Sequence, residues 1–167
     1  MKKVIGILIF FAITNAFAQN TLPTIDIKNP DGSIISTDSI KNDGKPIIIS
    51  FWATWCKPCI KELTTISEAY EEWQEETGVK LYAISTDDAR TFSNVSSFVN
   101  GRDWPFIVYC DPNSDFKRAM NVNMIPHTFI LDKDRNIVWQ HTSFSEGGEL
   151  HLIDLVRKLN NGEKISE

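Results

Sequence analysis

The sequence is poor in cysteine, in clustered basic residues and in long apolar runs. Only three of its 167 residues are cysteine, and this odd number leaves at least one thiol outside any internal disulfide. The 22 acidic residues outnumber the 17 lysines and arginines without any basic cluster, which argues against nucleic acid or an anionic membrane as a partner. Internal repeats and low-complexity tracts are absent as well. These features favour an ordinary globular domain.

Residues 1–18 have the pattern of a secretory signal peptide. Lys2 and Lys3 precede an apolar stretch at 4–13, and Ala-Phe-Ala at 16–18 resembles a cleavage site. The apolar stretch has about ten residues, whereas a membrane span needs about 20, so an uncleaved anchor is the weaker alternative. We therefore expect a periplasmic or otherwise extracytoplasmic protein without stable membrane insertion after cleavage. Residues 19–167 form one domain in this interpretation, and loss of the two lysines changes the net charge from −5 to −7.

Several segments have the composition of β-strands. An N-terminal hairpin is predicted at about 22–40, because Asp31-Gly32 is a strong turn signal. The segment KPIIISFW is almost entirely β-branched or aromatic, so we expect a strand buried on both faces of a sheet. Further strands are predicted at 79–85, 106–110, 127–132 and 136–141, the last two as a hairpin.

Segments with helical periodicity separate these strands. The longest predicted helix follows KPIIISFW and ends at Gly78, since glycine is favoured just after a helix C-terminus. Shorter helices are predicted from about 92 to Gly101 and at 113–120, the latter capped by Asn113 or Ser114. The last predicted helix has a buried stripe of Leu150, Ile153, Val156 and Leu159. This order predicts an α/β fold with a central mixed sheet, helices on both faces, and a core at about 45–162.

Two of the cysteines stand three residues apart in FWATWCKPCIKEL, at the junction of a strand and a helix. Cys56 is expected at the helix start, and Pro58 in the first turn, where its missing N–H leaves no hydrogen bond unmade. Unpaired N–H groups and the helix dipole then favour a Cys56 thiolate. A contribution of up to ~2 kcal/mol, at ~1.4 kcal/mol per pKa unit, lowers the thiol pKa from ~8.5 to about 7. Lys57 is expected to point to solvent and to add little.

Cys59 is expected one helical turn further along and shielded from solvent. Cys56 would then attack a partner disulfide, and Cys59 would release the partner by attacking the mixed disulfide. Two other uses of the pair are weaker. A structural disulfide across so short a loop restrains little chain, and structural zinc normally needs four ligands, often from two such pairs. A position at a strand-to-helix turn favours redox chemistry.

FWATWCKPCIKEL and a second segment, MIPHTFILD, resemble the signatures of the thioredoxin superfamily. The signal-like N-terminus, the hairpin and the insert at 85–104 narrow the resemblance to extracytoplasmic thiol–disulfide oxidoreductases of the TlpA and ResA type, which are AhpC/TSA-related domains. The resemblance implies a thioredoxin-like fold with an N-terminal β-hairpin extension. It also implies protein thiol or disulfide substrates, a membrane-bound thiol electron donor, and roles such as cytochrome c maturation. No metal and no cofactor beyond the redox-active Cys56–Cys59 disulfide is expected.

The same resemblance assigns roles around the cysteines. Pro126 is expected to be a cis-proline that lies across from the thiols, and Ile125 to pair its backbone with the substrate. Trp52 and Trp55 flank the site, and the resemblance implies that they pack beneath and beside the thiols, which core and rim packing would also allow. Trp52 is in addition assigned to substrate binding. The supporting residues are Trp55, Lys57, Pro58, Pro126 and Glu62.

Three positions depart from the family pattern. Ser50 stands where thioredoxins have a buried acid. A proton acceptor for Cys59 therefore has to be water or another carboxylate, and the candidates are Glu62, Asp87 and Asp88. Each of these carboxylates could equally be a solvated surface group. His127 replaces the usual threonine and could contact substrate, favour the thiolate when protonated, or be an exposed loop residue without a role. Cys110 ends an apolar strand and is expected to be a small buried hydrophobe, although a regulatory or intermolecular thiol is the alternative.

Two other functions remain open at this point. Peroxiredoxins use a related scaffold, but their reactive cysteine follows a threonine or serine by three positions, where this chain has Ala53, with Thr54 one residue late. A Cu(I) carrier could use Cys56, Cys59 and His127, because thiolates suit Cu(I). Metal carriers with this fold typically space their cysteines one residue wider.

Overall fold

The computed structural model describes residues 21–165, so the predicted signal peptide at 1–18 lies outside the described residues. The strands of this range are β1 (Asp26–Lys28), β2 (Ile34–Ser36), β3 (Ile47–Trp52), β4 (Lys80–Ser85), β5 (Ile107–Cys110), β6 (His127–Leu131) and β7 (Ile137–Thr142). They form one mixed sheet in the order β2-β1-β5-β4-β3-β6-β7.

Helices connect the strands as the sequence predicted. They are α1 (Lys57–Thr77), α2 (Phe92–Asn100), α3 (Asp115–Ala119) and α4 (Gly148–Asn160), with a 3-10 helix at Thr37–Ser39. Gly78 ends α1 in the left-handed conformation with φ +69°, which other residues adopt only with strain. None of the helices in the described range is long and apolar enough to cross a membrane.

The sheet separates two hydrophobic clusters. One cluster packs side chains of α1, α2 and α4, including Leu63, Val95 and Ile153, against one face. The other packs α3 and the N-terminal segment, including Phe116 and Ile27, against the opposite face. The predicted α/β fold with helices on both faces of a mixed sheet is therefore confirmed.

Strand β3 positions the cysteines. All six of its residues are buried, and it pairs in parallel with β4 and antiparallel with β6. Its side chains alternate between the clusters, with Ile48 and Trp52 in one and Ile49 and Phe51 in the other. Because Phe51 pairs with His127, the end of β3 lies beside the start of β6. The segments after β3 and before β6 therefore meet at one edge of the sheet.

Two local predictions were confirmed only in part. In the predicted stripe of α4, Ile153 and Val156 are buried and Leu159 is partly buried, but Leu150 is 67% exposed, and the other buried residues are Leu152 and Leu155. Ser114 occupies the N-cap position of α3, but the backbone N–H of Lys117 donates to the Asp111 carboxylate at 2.7 Å rather than to either predicted cap. Asp111 precedes the helix by four residues, so the local capping pattern does not reveal it.

Candidate active site

The cysteines of the C-x-x-C segment form a disulfide at the N-terminus of α1. Cys56 is the N-cap residue, with the extended backbone common at that position, and Pro58 lies in the first turn. The backbone N–H of Cys59 points to Cys56 Sγ at 3.4 Å. This N–H and the positive end of the α1 dipole stabilise the Cys56 thiolate when the disulfide is reduced.

The two sulfurs differ in their access to solvent. Cys56 keeps 5% of its surface exposed, whereas Cys59 has 0%. Trp55, Lys57 and Pro58 are exposed beside them. A partner molecule can therefore reach Cys56 first, which is the asymmetry that a nucleophile and a resolving cysteine require.

Glu62 lies one helical turn after Cys59 and is only 8% exposed. Thr128 Oγ1 donates to Glu62 Oε1 at 3.0 Å and lies 3.3 Å from Ser50 Oγ. Burial raises the pKa of the Glu62 carboxyl from its ordinary 4.5 to about 7, against the opposing effect of the Thr128 hydrogen bond. A carboxyl with this pKa exchanges a proton readily near neutral pH. The Glu62 carboxyl is therefore a buried group, one turn after Cys59, that titrates near neutral pH.

Asp87 and Asp88 have other roles. Asp87 is fully buried, and its carboxylate accepts hydrogen bonds from Thr54 N at 2.8 Å, Thr54 Oγ1 at 2.6 Å and Ser85 Oγ at 2.8 Å. It therefore fixes the loop that leads to Cys56. Asp88 is partly exposed, and its side-chain hydrogen bond with Arg90 lowers its carboxyl pKa, so it stays ionised at the surface.

The Ile125–Pro126 peptide bond is cis, and Pro126 is buried just before β6. The Pro126 carbonyl accepts a hydrogen bond from Ser143 N at 2.9 Å, which ties this segment to the loop after β7. Ile125 is partly buried and Met124 is exposed. Since β3 and β6 are neighbours, this segment lies at the same edge of the sheet as the disulfide.

The prediction that Trp52 binds substrate was wrong. Its side chain is completely buried. Its ring lies 5.5 Å from that of Phe98 and 5.0 Å from that of Trp104, between centroids. Trp52 is a core residue below the active-site segment, and Trp55 is the tryptophan that a partner can contact.

His127 is buried in β6 rather than exposed in a loop. Its Nε2 lies 3.2 Å from Gln140 Oε1 and its Nδ1 lies 3.1 Å from Thr142 Oγ1, while the ring stacks on Phe129 at 4.5 Å. Loss of hydration lowers the pKa of the imidazole, so the ring is neutral at neutral pH. The predictions of an exposed loop histidine and of a protonated partner for the thiolate were both wrong, and little of the ring is open to a substrate.

Cys110 is the free thiol, and it is fully buried at the end of β5. Burial raises the pKa of this thiol, and the negative charge of Asp87 raises it further, to about 12. The prediction of a small buried hydrophobe is confirmed.

Sequence reasoning missed Thr128 as a partner of Glu62. A signal was available, because Ser50 and Thr128 are polar residues within otherwise apolar strands, IIISFW and HTFIL. The two are direct partners in the β3–β6 register, which places both hydroxyls on the face that carries α1. The role of Asp87 in holding Thr54 was also missed, since nothing local in the sequence joins these two positions.

Comparisons with known proteins agree with this site. The AhpC/TSA family profile matches residues 18–140. A thiol-disulfide oxidoreductase ResA from Bacillus cereus is 33% identical over 116 residues, which cover 70% of this chain and 64% of the relative, so the chain spans less than two thirds of that protein's length.

Solved structures have the same fold. An uncharacterized thioredoxin-like protein from Porphyromonas gingivalis is 48% identical, with a TM-score of 0.74, and the match covers 84% of this chain and 92% of that one. A structure described as a putative thiol:disulfide interchange protein DsbE from Chlorobium tepidum has a TM-score of 0.68 over 82% of this chain and 94% of that one, and its 20% identity supports the fold alone. The family match and the ResA relative show that the chain belongs to the AhpC/TSA family, as a ResA-like member of the thioredoxin superfamily.

Proposed function

We propose that this protein is an exported thiol–disulfide oxidoreductase that reduces protein disulfides with Cys56 and Cys59. The observation that carries the proposal is a disulfide at the N-terminus of α1 in which Cys56 keeps 5% of its surface exposed and Cys59 keeps none. The names of the ResA relatives, thiol-disulfide oxidoreductases, support the same chemistry.

The reaction can be written for the reduced protein. The Cys56 thiolate attacks a substrate disulfide, forms a bond to one substrate sulfur and expels the other as a thiolate. Glu62 then takes the proton from the Cys59 thiol, and the new thiolate attacks Cys56 Sγ. This second attack expels the remaining substrate thiolate and restores the Cys56–Cys59 disulfide. Two electrons pass from the two cysteines to the two substrate sulfurs.

The substrate is proposed to be a protein segment that lies along the cis-proline. The backbone of Ile125 would pair with this segment beside Pro126, and the exposed Trp55 ring would cover it from the other side of Cys56. Reducing equivalents would come from a membrane-bound thiol donor, and cytochrome c maturation is a process that requires such a reductase. The direction rests on similarity to the ResA proteins, and a measured reduction potential more oxidising than the surrounding thiol pool would reverse it.

Two alternatives have less support in the site. A peroxidase needs a hydroxyl beside its reactive cysteine, but the Thr54 hydroxyl donates to Asp87 at 2.6 Å, and Ala53 occupies the family position. A Cu(I) carrier would need Cys56, Cys59 and His127 together, but both nitrogens of His127 have hydrogen-bond partners. Within residues 21–165 no group of three or more histidine, cysteine, aspartate or glutamate side chains is placed to hold a metal ion.

A trapping experiment tests the proposal. In Cys59→Ser the mixed disulfide cannot be resolved, so partner proteins should remain attached to Cys56 and be released by a reductant. Cys56→Ser is the matched control and should trap nothing. Trapped partners should be extracytoplasmic proteins with a disulfide that the wild-type protein reduces. An empty trap in living cells would contradict the proposal, as would rapid peroxide consumption that survives loss of Cys59.

A further inference from the structure

A small cavity lies between the end of β7 and the start of α4, next to Glu62. Its volume is about 30 Å³, which is room for two or three waters at ~10–15 Å³ each. Its polar lining consists of Glu62, Thr128, His141, Ser143, Ser145 and Glu149. The cysteines, Trp55, Ile125 and Pro126 are not among the lining residues, although the backbone N–H of Ser143, which is one of them, donates to the Pro126 carbonyl.

Two carboxylate oxygens lack a partner at this cavity. Glu62 Oε2 and Glu149 Oε2 are both buried, and neither has a hydrogen-bond partner among the residues that the structure describes. A buried acceptor without a partner is unfavourable, so a hydrogen bond from water is expected at each oxygen. Because both side chains line the same cavity, water inside it can hydrogen-bond to both oxygens. Glu149 lies in the first turn of α4 and is partly exposed, so it connects this water to bulk solvent.

We propose that this cavity conducts the proton that Glu62 takes from Cys59, with the Glu149 carboxylate as the outer acceptor. The inference rests on the proposed function, in which Cys59 must lose a proton before it attacks Cys56. Cys59 has no exposed surface, and a docked protein would cover Cys56. The proton therefore needs an exit that the substrate does not block.

The proton balance is simple. Glu62 receives the Cys59 proton and becomes neutral, and it then donates a proton to cavity water while that water donates one to Glu149. Glu149 releases the proton to solvent, and both carboxylates return to their charged forms. One proton leaves the protein for each Cys59 thiol that is oxidised, and no other reactant is needed.

Charged groups from each neighbouring element surround this route. Lys61 of α1 forms an ion pair with Glu146, in the loop between β7 and α4, and its ammonium lies 5.9 Å from the Phe144 ring. This pair ties the loop that forms one cavity wall to α1. His141 of β7 is exposed at the cavity. Glu149 is the carboxylate among these groups that combines an inner, unpaired oxygen with an exposed portion.

The test follows the reaction of the reduced protein with Ellman's reagent in a stopped-flow instrument. The first release of thionitrobenzoate reports attack by Cys56, and the second reports resolution by Cys59. Glu149→Gln should leave the first phase unchanged and slow the second about tenfold, less than the ~10²–10⁴-fold effect of a group that exchanges the proton with the reacting atom itself. The slowed phase should also have a larger solvent deuterium isotope effect. Glu149→Asp keeps the ionisable group and should retain most of the wild-type rate.

Glu146→Gln is the matched control, because it removes one charge from the loop between β7 and α4 at an exposed residue that does not line the cavity. Its second phase should stay at the wild-type rate, and circular dichroism should show that all three variants fold. An unchanged second phase in Glu149→Gln, or equal slowing in Glu146→Gln or Glu149→Asp, would overturn the proton route and leave the proposed function intact. A wild-type Cys56 that reacts no faster than a free thiol would instead contradict the proposed function.

Discussion

Replacing Glu62 with glutamine should stabilise the oxidised protein at neutral and alkaline pH. The pKa of Glu62 is about 7 in the folded state, above its ordinary 4.5, so the folded state binds this proton more tightly than the unfolded state does. The free energy of unfolding therefore falls as the pH rises from about 4.5 through about 7. Between about pH 5 and about pH 8 this one group removes about 2.5 kcal/mol of stability, at ~1.4 kcal/mol per pKa unit. Glutamine does not titrate, so this pH-dependent contribution to the free energy of unfolding is absent in the variant. Its amide oxygen can still accept the Thr128 hydrogen bond.

Urea unfolding of the oxidised wild type and of Glu62→Gln, at about pH 5 and about pH 8, measures this contribution. The difference in free energy of unfolding between the two proteins should change by about 2.5 kcal/mol from one pH to the other. Contributions from all other groups cancel in this difference. Glu68→Gln is the matched control, because Glu68 is exposed on the same helix and its variant should follow the wild type. Parallel pH dependence in the wild type and Glu62→Gln would refute a raised Glu62 pKa, on which its proposed role as the proton acceptor for Cys59 depends.

Two further predictions concern the loop and the helix that carry the cysteines. Asp87→Asn should destabilise the protein by about 2–3 kcal/mol in urea unfolding, because three hydrogen bonds to a buried charge are weakened. Asp88→Asn is the surface control and should cost under about 0.5 kcal/mol. Equal losses in the two variants would argue against a buried anchor. Gly78→Ala should cost about 1–2 kcal/mol at its left-handed φ of +69°, and Gly101→Ala, with φ −78°, should be nearly neutral by the same assay. A neutral Gly78→Ala would mean that α1 ends differently.

Local pattern was enough to place the elements next to the cysteines. The run at Ile47–Trp52, apolar except for Ser50, predicted a strand covered on both faces, and Gly78 could be recognised as the end of α1. Pro58 in the first turn marked the helix start in the same way. These features depend on residues within a few positions of one another, which is the range over which sequence periodicity and capping act.

The parts that sequence reasoning missed depend on contacts between distant segments. Glu62 could not be separated from the other candidate acids until α1 was placed on β6, because its partner Thr128 is 66 positions away. His127 lies in a strand covered by its neighbours, and this burial reversed its expected exposure and charge. Leu150 fits the helical spacing of a core residue, but the packing of α4 on the sheet buries Leu152 and Leu155 instead.

The burial of Cys110 protects a protein with a redox-active disulfide from reactions of its own third thiol. A third reactive thiol could attack the protein's own mixed disulfides or link two copies of the chain, and either reaction would inactivate it. With a pKa of about 12, only about one Cys110 side chain in 10⁵ is ionised at neutral pH, and its sulfur is fully covered. Self-inactivation through the odd cysteine is therefore suppressed by the fold itself, without any need to remove this residue from the sequence.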